Sequence, residues 1–308
     1  MMKTGLDHMP DRKQRELARA LDILHEEFED ALKEGTAEFK KKGRILKIIL
    51  FGSYARGGWV DEPHTMKGYK SDFDLLIIVN NKKLCEFAAY WYKAKDRLIR
   101  DKHIETPVSF IVHSRREVNT YLREGQYFFS DIRKEGIVLY ELDDEPLAEP
   151  KLLSPKDRLR VAKRHFDVRF SGAKMMLDTS VLQLGQSKDD DVWRKGAAFS
   201  LHQAIEGAYS TVLLTLTNYG PASHNIAFLR SLSEEQNRRL AEAWPRDQQR
   251  FRAWFNTLNE AYVKARYSEH YEISEEALVW LGEHTALLHQ LVDMVCREHL
   301  ERLMQEAG

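Results

Sequence analysis

Phe51-Gly52-Ser53-Tyr54-Ala55-Arg56-Gly57, followed later by Ser71-Asp72-Phe73-Asp74-Leu75, is the stretch on which the reading of this chain turns. The apolar run Ile45, Leu46, Ile48, Ile49, Leu50 leads straight into Gly52-Ser53, which reads as a buried strand ending in a sharp turn. Two glycines and a small serine let backbone N–H groups come close to a phosphate. Asp72 and Asp74 stand two apart at the head of a second apolar run that reaches Val79. A strand period of two sets both carboxylates on one face. Adjacent carboxylates repel, and a divalent cation is the usual means of keeping both ionised. A phosphate cradle beside a carboxylate pair points to metal-assisted phosphoryl or nucleotidyl transfer.

The order Gly-Ser, then Asp-hydrophobic-Asp-hydrophobic, resembles the DNA polymerase β superfamily of nucleotidyltransferases, in particular its minimal and aminoglycoside-modifying members. The resemblance covers residues 40 to 145. It implies a polymerase β-like α+β fold in which Gly52 and Ser53 form the triphosphate turn, helped by Arg56. It also implies that Asp72 and Asp74 are the catalytic metal ligands, for Mg2+ or Mn2+, with ATP or another NTP as substrate. Residues 54–71 lie between Ser53 and Asp72, a longer spacing than the resemblance leads one to expect. The part from Gly58 to Tyr69 is rich in Gly, Pro, His and Lys and reads as an inserted loop, a flap over the nucleotide. The resemblance further implies a third carboxylate on a later strand. The best candidate is Pro107 to His113, where Ser109 stands in place of an aspartate, with Glu105 just before it and His113 at its end. Ser109 and His113 are therefore the candidates for activating the acceptor. Arg115 and Arg116 either reach the triphosphate or simply open a surface helix.

Length and composition agree with an enzyme of two ordinary domains. A chain of 308 residues is long enough for two cores. Its 43% hydrophobic and 31% charged content describe a globular protein with a well-solvated surface, and a net charge of −1 provides no global attraction for nucleic acid. No run approaches about eighteen apolar residues, and the stretch Met1 to Arg15 lacks an apolar signal core. A cytoplasmic location is expected. Cys85 and Cys296, far apart in segments expected to be helical, read as reduced thiols.

Periodicity divides the chain in two. Leu17, Leu21, Leu24, Phe28 and Leu32 mark a helix over 11–34. Strands are expected over 45–51, 71–79 and 107–113, with helices over 82–100 and 114–123 and a helix–strand unit over 127–140. This is an α+β domain on a small mixed sheet, assigned to residues 1–145. The acidic, proline-bearing segment Glu141 to Pro155 reads as a linker. Residues 146–308 then show only helical patterns, over 155–184, 190–218, 246–266 and from Ser274 onward, which indicates an all-α antiparallel bundle.

This second half resembles the HEPN domain. The resemblance rests on Leu201-His202-Gln203-Ala204-Ile205-Glu206-Gly207-Ala208, on Ser223-His224-Asn225-Ile226, and on Ala265-Arg266-Tyr267 leading to His270-Tyr271-Glu272-Ile273. Active members of that family carry Arg, four to six residues, then His. Tyr267, Ser268 and Glu269 alone separate Arg266 from His270, so the pattern is missed by one. Arg266, His270 and Tyr271 read as a structural or recognition cluster, and His202 and Glu206 as a solvated pair one helical turn apart. His284 falls on an apolar stripe and reads as a core histidine. The whole is expected to transfer a nucleoside monophosphate to a hydroxyl acceptor: a small molecule, a protein tyrosine or an RNA end. The bundle is expected to present that acceptor or to form a homodimer. Two rivals stand beside this reading: a catalytically degenerate nucleotide-binding regulatory or antitoxin-like module, and a HEPN-type RNA-binding or RNA-cleaving protein.

Overall fold

The computed structural model describes residues 2–33, 36–61, 70–187 and 190–308, and these divide into two compact units, 2–61 with 70–152 and 153–308. The first unit opens with α1 (Asp11–Lys33), whose stripe Leu17, Ala20, Leu24 and Phe28 is buried. There follow α2 (Glu38–Lys41), β1 (Ile45–Phe51), α3 (Gly52–Arg56), β2 (Phe73–Val79), a 3₁₀ turn (Lys82–Cys85), α4 (Phe87–Tyr90) and α5 (Tyr92–Arg100). β3 (Val108–Ser114), α6 (Arg115–Arg123), α7 (Tyr127–Glu135) and β4 (Ile137–Glu141) complete it. The strands lie in the order β3-β2-β1-β4, with β2–β3 parallel and the other pairs antiparallel.

Both central strands are buried at every position. That is why they read as continuous apolar runs and not as alternating ones. Phe73, Leu75, Ile77 and Val79 join Leu17, Phe28, Ala94 and Leu98 in one core. Helices α6 and α7 cover the other face with Val118, Leu122, Phe128, Phe129 and Ile132. Beyond β4, the Val138 amide donates to the Lys3 carbonyl over 2.8 Å. The helix expected over 82–100 is instead three pieces. Trp91 sits at the break, fully buried and stacked on Phe28 at 4.9 Å, with its indole N–H donating to the Leu84 carbonyl over 2.7 Å. Burying an indole with its N–H satisfied outweighs the continuity of one helix. Of the expected flap, residues 62–69 lie outside the described residues. At its base Asp61 bridges Lys70, and the Ser71 amide donates to the Val60 carbonyl over 2.8 Å.

The second unit is helical: α8 (Pro155–Gly185), α9 (Asp191–Thr217), α10 (Ile226–Gln236), a 3₁₀ turn (Arg238–Ala243), α11 (Gln249–Asn259), α12 (Ala261–Tyr267) and α13 (Glu275–Ala307). Ser154, Asp190, Asn225 and Ser274 each cap a helix by accepting from its first-turn amides. The fold class is thus α+β followed by an all-α region. The helix expected over 246–266 is broken at Glu260 into α11 and α12, and α10 forms where no pattern announces it. No helix of the described residues is long and apolar enough to cross a membrane. Both cysteines are free thiols.

Candidate active site

Sheet register brings the two motifs together. Phe51, the last residue of β1, pairs with Asp74 on β2, and Asp74 pairs with Ser109 on β3. The C-terminal end of β1 and the starts of β2 and β3 therefore meet at one edge of the sheet. Gly52 makes the turn there with φ of 74°, a left-handed conformation that costs a residue with a Cβ about 1–2 kcal/mol. Gly57 ends α3 the same way, at φ 76°. Between them Tyr54 is fully buried, stacked on Trp59 at 5.1 Å and tilted against Phe73 at 4.5 Å. The motif's aromatic residue thereby wedges the turn against β2.

Ser53 is buried, and its Oγ has no hydrogen-bond partner among the described residues. A buried hydroxyl left unsatisfied is costly. It becomes intelligible where a ligand oxygen completes it. Asp74 is buried and Asp72 half-buried. The Ser109 hydroxyl donates to Asp72 Oδ2 over 2.8 Å, which fixes the orientation of that carboxylate. The start of β3 is held in turn by α1: the buried Glu16 Oε2 accepts from the backbone amides of Glu105 (3.1 Å) and Thr106 (2.8 Å). Lys13 Nζ donates to Thr106 Oγ1 over 2.6 Å and lies 3.3 Å from Asp61.

A cation absent from the sequence reading also stands here. Lys95 of α5 donates to the Val108 carbonyl. Burial pushes its ammonium below the ordinary lysine range, while the Asp72 and Asp74 charges pull it back up. The sequence carries no sign of this, because the contact joins a helix face to the start of a strand that follows it.

Other candidates fall elsewhere. His113 pairs with Ile78, at the opposite end of β2 from Asp74. Its ring is packed edge-on against Tyr121 and Phe129 at 5.5 and 5.4 Å, and burial pushes its pKa down to about 4. The structure thus corrects the nomination of His113: it is a neutral aromatic-cluster residue four positions along β3 from Ser109. Glu105 pairs with Arg12, and Arg115 forks onto Asp143 and Glu145. Arg56 is exposed on α3 and lies 3.9 Å from Glu135. Among the described residues no group of three or more His, Cys, Asp or Glu side chains is placed to hold a metal ion. The pair Asp72 and Asp74 nevertheless fits Mg2+, which is bound in nucleotide sites by one or two carboxylates with phosphate and water filling its octahedron.

In the helical unit, Tyr271 is buried and donates its hydroxyl to the Thr257 carbonyl over 3.2 Å. Arg266 lies over the rings of Tyr262 and Phe199 at 4.5 and 4.9 Å, and His270 is exposed. His202 and Glu206 are not a solvated pair. His202 is fully buried, with Nε2 2.9 Å from the His224 carbonyl, and Glu206 accepts from His224 Nδ1 at 3.1 Å. His284 Nδ1 lies 2.7 Å from the Ala243 carbonyl, a partnered half-buried histidine.

Comparison with known proteins bears on the first unit. A Methanocaldococcus jannaschii protein named as a protein adenylyltransferase is 50% identical over 52 residues, 17% of this chain. The match spans 39% of that relative's own length. Residues 32–139 match the family model of the nucleotidyltransferase domain, so the family likeness resides in the segment that carries the Gly52-Ser53 turn and the aspartate pair.

Proposed function

We propose that the first unit transfers a nucleoside monophosphate, AMP from ATP in the first instance, to a hydroxyl acceptor. The observation that carries this reading is the sheet register, which sets the end of β1, just before the Gly52-Ser53 turn, beside Asp74 and Ser109, with Ser109 bonded to Asp72. Asp72 and Asp74 would hold Mg2+, which supplies charge neutralisation at the α-phosphate and the departing pyrophosphate. Gly52 and Ser53 bind oxygens of the triphosphate: the left-handed glycine brings backbone close, and the Ser53 hydroxyl gains the partner it lacks among the described residues. Ser109 is a positioning residue, since its proton is already committed to Asp72. In the transfer, the acceptor oxygen forms a bond to the α-phosphorus as the bond to the pyrophosphate oxygen breaks, and the hydroxyl proton is released to solvent. Because one relative is named as a protein adenylyltransferase, a protein acceptor is the first to try, ahead of a small alcohol or an RNA end. The helical unit, read as HEPN-like, is assigned the presentation of that acceptor.

Incubation with each α-labelled NTP, in Mg2+ or Mn2+, followed by mass analysis of the protein and of added acceptors, tests the reading. An adenylyl adduct that disappears in Asp74→Asn supports it. Binding of MgATP without label transfer to any acceptor class would favour a regulatory nucleotide-binding module, the reading that the serine at position 109 also suits.

A further inference from the structure

Lys95 of α5 is a cation to which the transfer gives no part. Its ammonium donates to the Val108 carbonyl, and Val108 pairs across the sheet with Phe73, the residue between Asp72 and Asp74. Val108 also precedes Ser109, whose hydroxyl donates to Asp72. The ammonium is thus tied to the strand position level with the aspartate pair. It forms no ion pair among the described residues. The carboxylates on the neighbouring segments have cations of their own, Glu105 with Arg12 and Asp61 with Lys13. Burial pushes the Lys95 ammonium below the ordinary lysine range, and Asp72, then Asp74, are the charges that pull it back. Fastening the start of β3 does not by itself call for lysine. A neutral donor would make the same bond to the Val108 carbonyl without the cost of taking a charge out of water. The charge is explained by the aspartates it stands beside.

We propose that Lys95 stands in for a second divalent cation, so that the site takes a single metal ion, held by Asp72 and Asp74. The inference rests on the nucleotidyl-transfer reading of that pair. Two-metal sites keep their ions about 3.5–4 Å apart and need enough oxygen ligands to clamp both. Where a third carboxylate is expected, Ser109 instead gives its proton to Asp72 Oδ2 and adds no negative oxygen. Charge leads to the same place. Three carboxylates with two divalent ions leave a single positive charge in excess. Asp72, Asp74 and Lys95 with one divalent ion leave the same excess. Serine in place of a carboxylate, together with the lysine, therefore supplies the charge of one ion. Lys95 acts through the aspartates and not on the nucleotide, which makes it a positioning residue. It offsets the repulsion within the pair and repels a second cation from the β3 side.

The full chain is tested by counting bound Mn2+ with electron paramagnetic resonance, using α,β-methylene-ATP as a nucleotide that cannot transfer its phosphoryl group. Circular dichroism verifies folding of each variant. The wild type is expected to bind one Mn2+ per chain at saturation. Lys95→Met combined with Ser109→Asp is expected to bind two, with the spectral broadening of neighbouring ions. Lys95→Met alone is expected to bind Mn2+ in the absence of nucleotide about tenfold or more tightly than the wild type, because the aspartates lose their resident cation. Lys95→Arg keeps the charge and is expected to bind as the wild type does. The direction of change separates this role from a structural one, since loss of the Val108 bond alone would loosen β3 and weaken Mn2+ binding. Two Mn2+ in the wild type, one in the double variant, or unchanged or weaker binding in Lys95→Met overturns the inference and leaves the transfer reading standing. A wild type that binds no Mn2+, with or without nucleotide, overturns both.

Discussion

Ser109 offers the most decisive perturbation, since it pairs with Asp74 and bonds to Asp72 where the resemblance leads one to expect a third carboxylate. Ser109→Asp removes the hydrogen bond to Asp72 and sets a third negative group beside Asp72 and Asp74 at a nearly buried position. Two carboxylates about 5 Å apart repel by about 3 kcal/mol at an effective dielectric of about 20. The lost bond to a charged acceptor adds about 1.5–3 kcal/mol. Without metal the first unit should therefore lose about 4.5–6 kcal/mol, of order 15 °C in Tm for a unit of this size. A divalent cation reverses the sign of the effect, because it needs oxygen ligands and neutralises their repulsion. Thermal unfolding in EDTA, and then in Mg2+ with ATP, should show a larger metal-dependent rise for Ser109→Asp than for the wild type. Ser109→Ala is the control: it loses the hydrogen bond alone and gains no metal response. If Ser109→Asp and Ser109→Ala melt together in EDTA and respond equally to Mg2+, the three side chains do not share one site.

The other predictions concern the aspartates and a buried imidazole. Asp72→Asn should weaken MgATP binding about ten- to hundredfold by calorimetry, the value of about 1.5–3 kcal/mol for a charged ligand, and equal affinities would sink the metal assignment. His202 is fully buried and burial pushes its pKa down to about 4. The unfolded chain, with its histidine near 6.5, therefore takes up the proton first as pH falls. Its contribution to stability is complete above about pH 6.5 and is lost between there and pH 4, amounting to about 2 kcal/mol by pH 5. Denaturant unfolding at pH 8 and pH 5 should show that extra loss in the wild type and not in His202→Gln; identical losses contradict it.

Local periodicity carried the centre of the site. The strand period of two singled out Asp72 and Asp74, although Asp72 stands one residue before β2 opens at Phe73, and the Gly52 turn follows from an apolar run meeting a residue without a Cβ. What periodicity does not carry is which end of a strand a residue occupies relative to its neighbours. Ser109 and His113 lie on the same strand face, yet register with β2 puts one beside Asp74 and the other beside Ile78. Lys95, Glu16 and Lys13 were illegible for a related reason: each acts on β3 or the segment before it from a helix, through a contact that no local pattern encodes. Tertiary packing also redrew helices. Trp91 interrupted one so that its indole was buried with a partner, and α10 is a short helix whose pattern is too brief to stand out from the surrounding loops.

The placement of β4 has a consequence for the order in which the molecule is assembled. β1 pairs with β2 and also with β4, so Leu50 meets both Leu75 and Ile137. During synthesis β1 and β2 emerge early, but one edge of β1 stays open until the chain has been made as far as Glu141. Closing that long loop is entropically slow, and the exposed strand edge offers other chains a template in the meantime. Helices α8 and α9, by contrast, pack against each other with only a short connection between them. The helical hairpin should therefore gain hydrogen-exchange protection within milliseconds of refolding, and β1 later. For the same reason, chains truncated between Val79 and Ile137 should be the ones that aggregate.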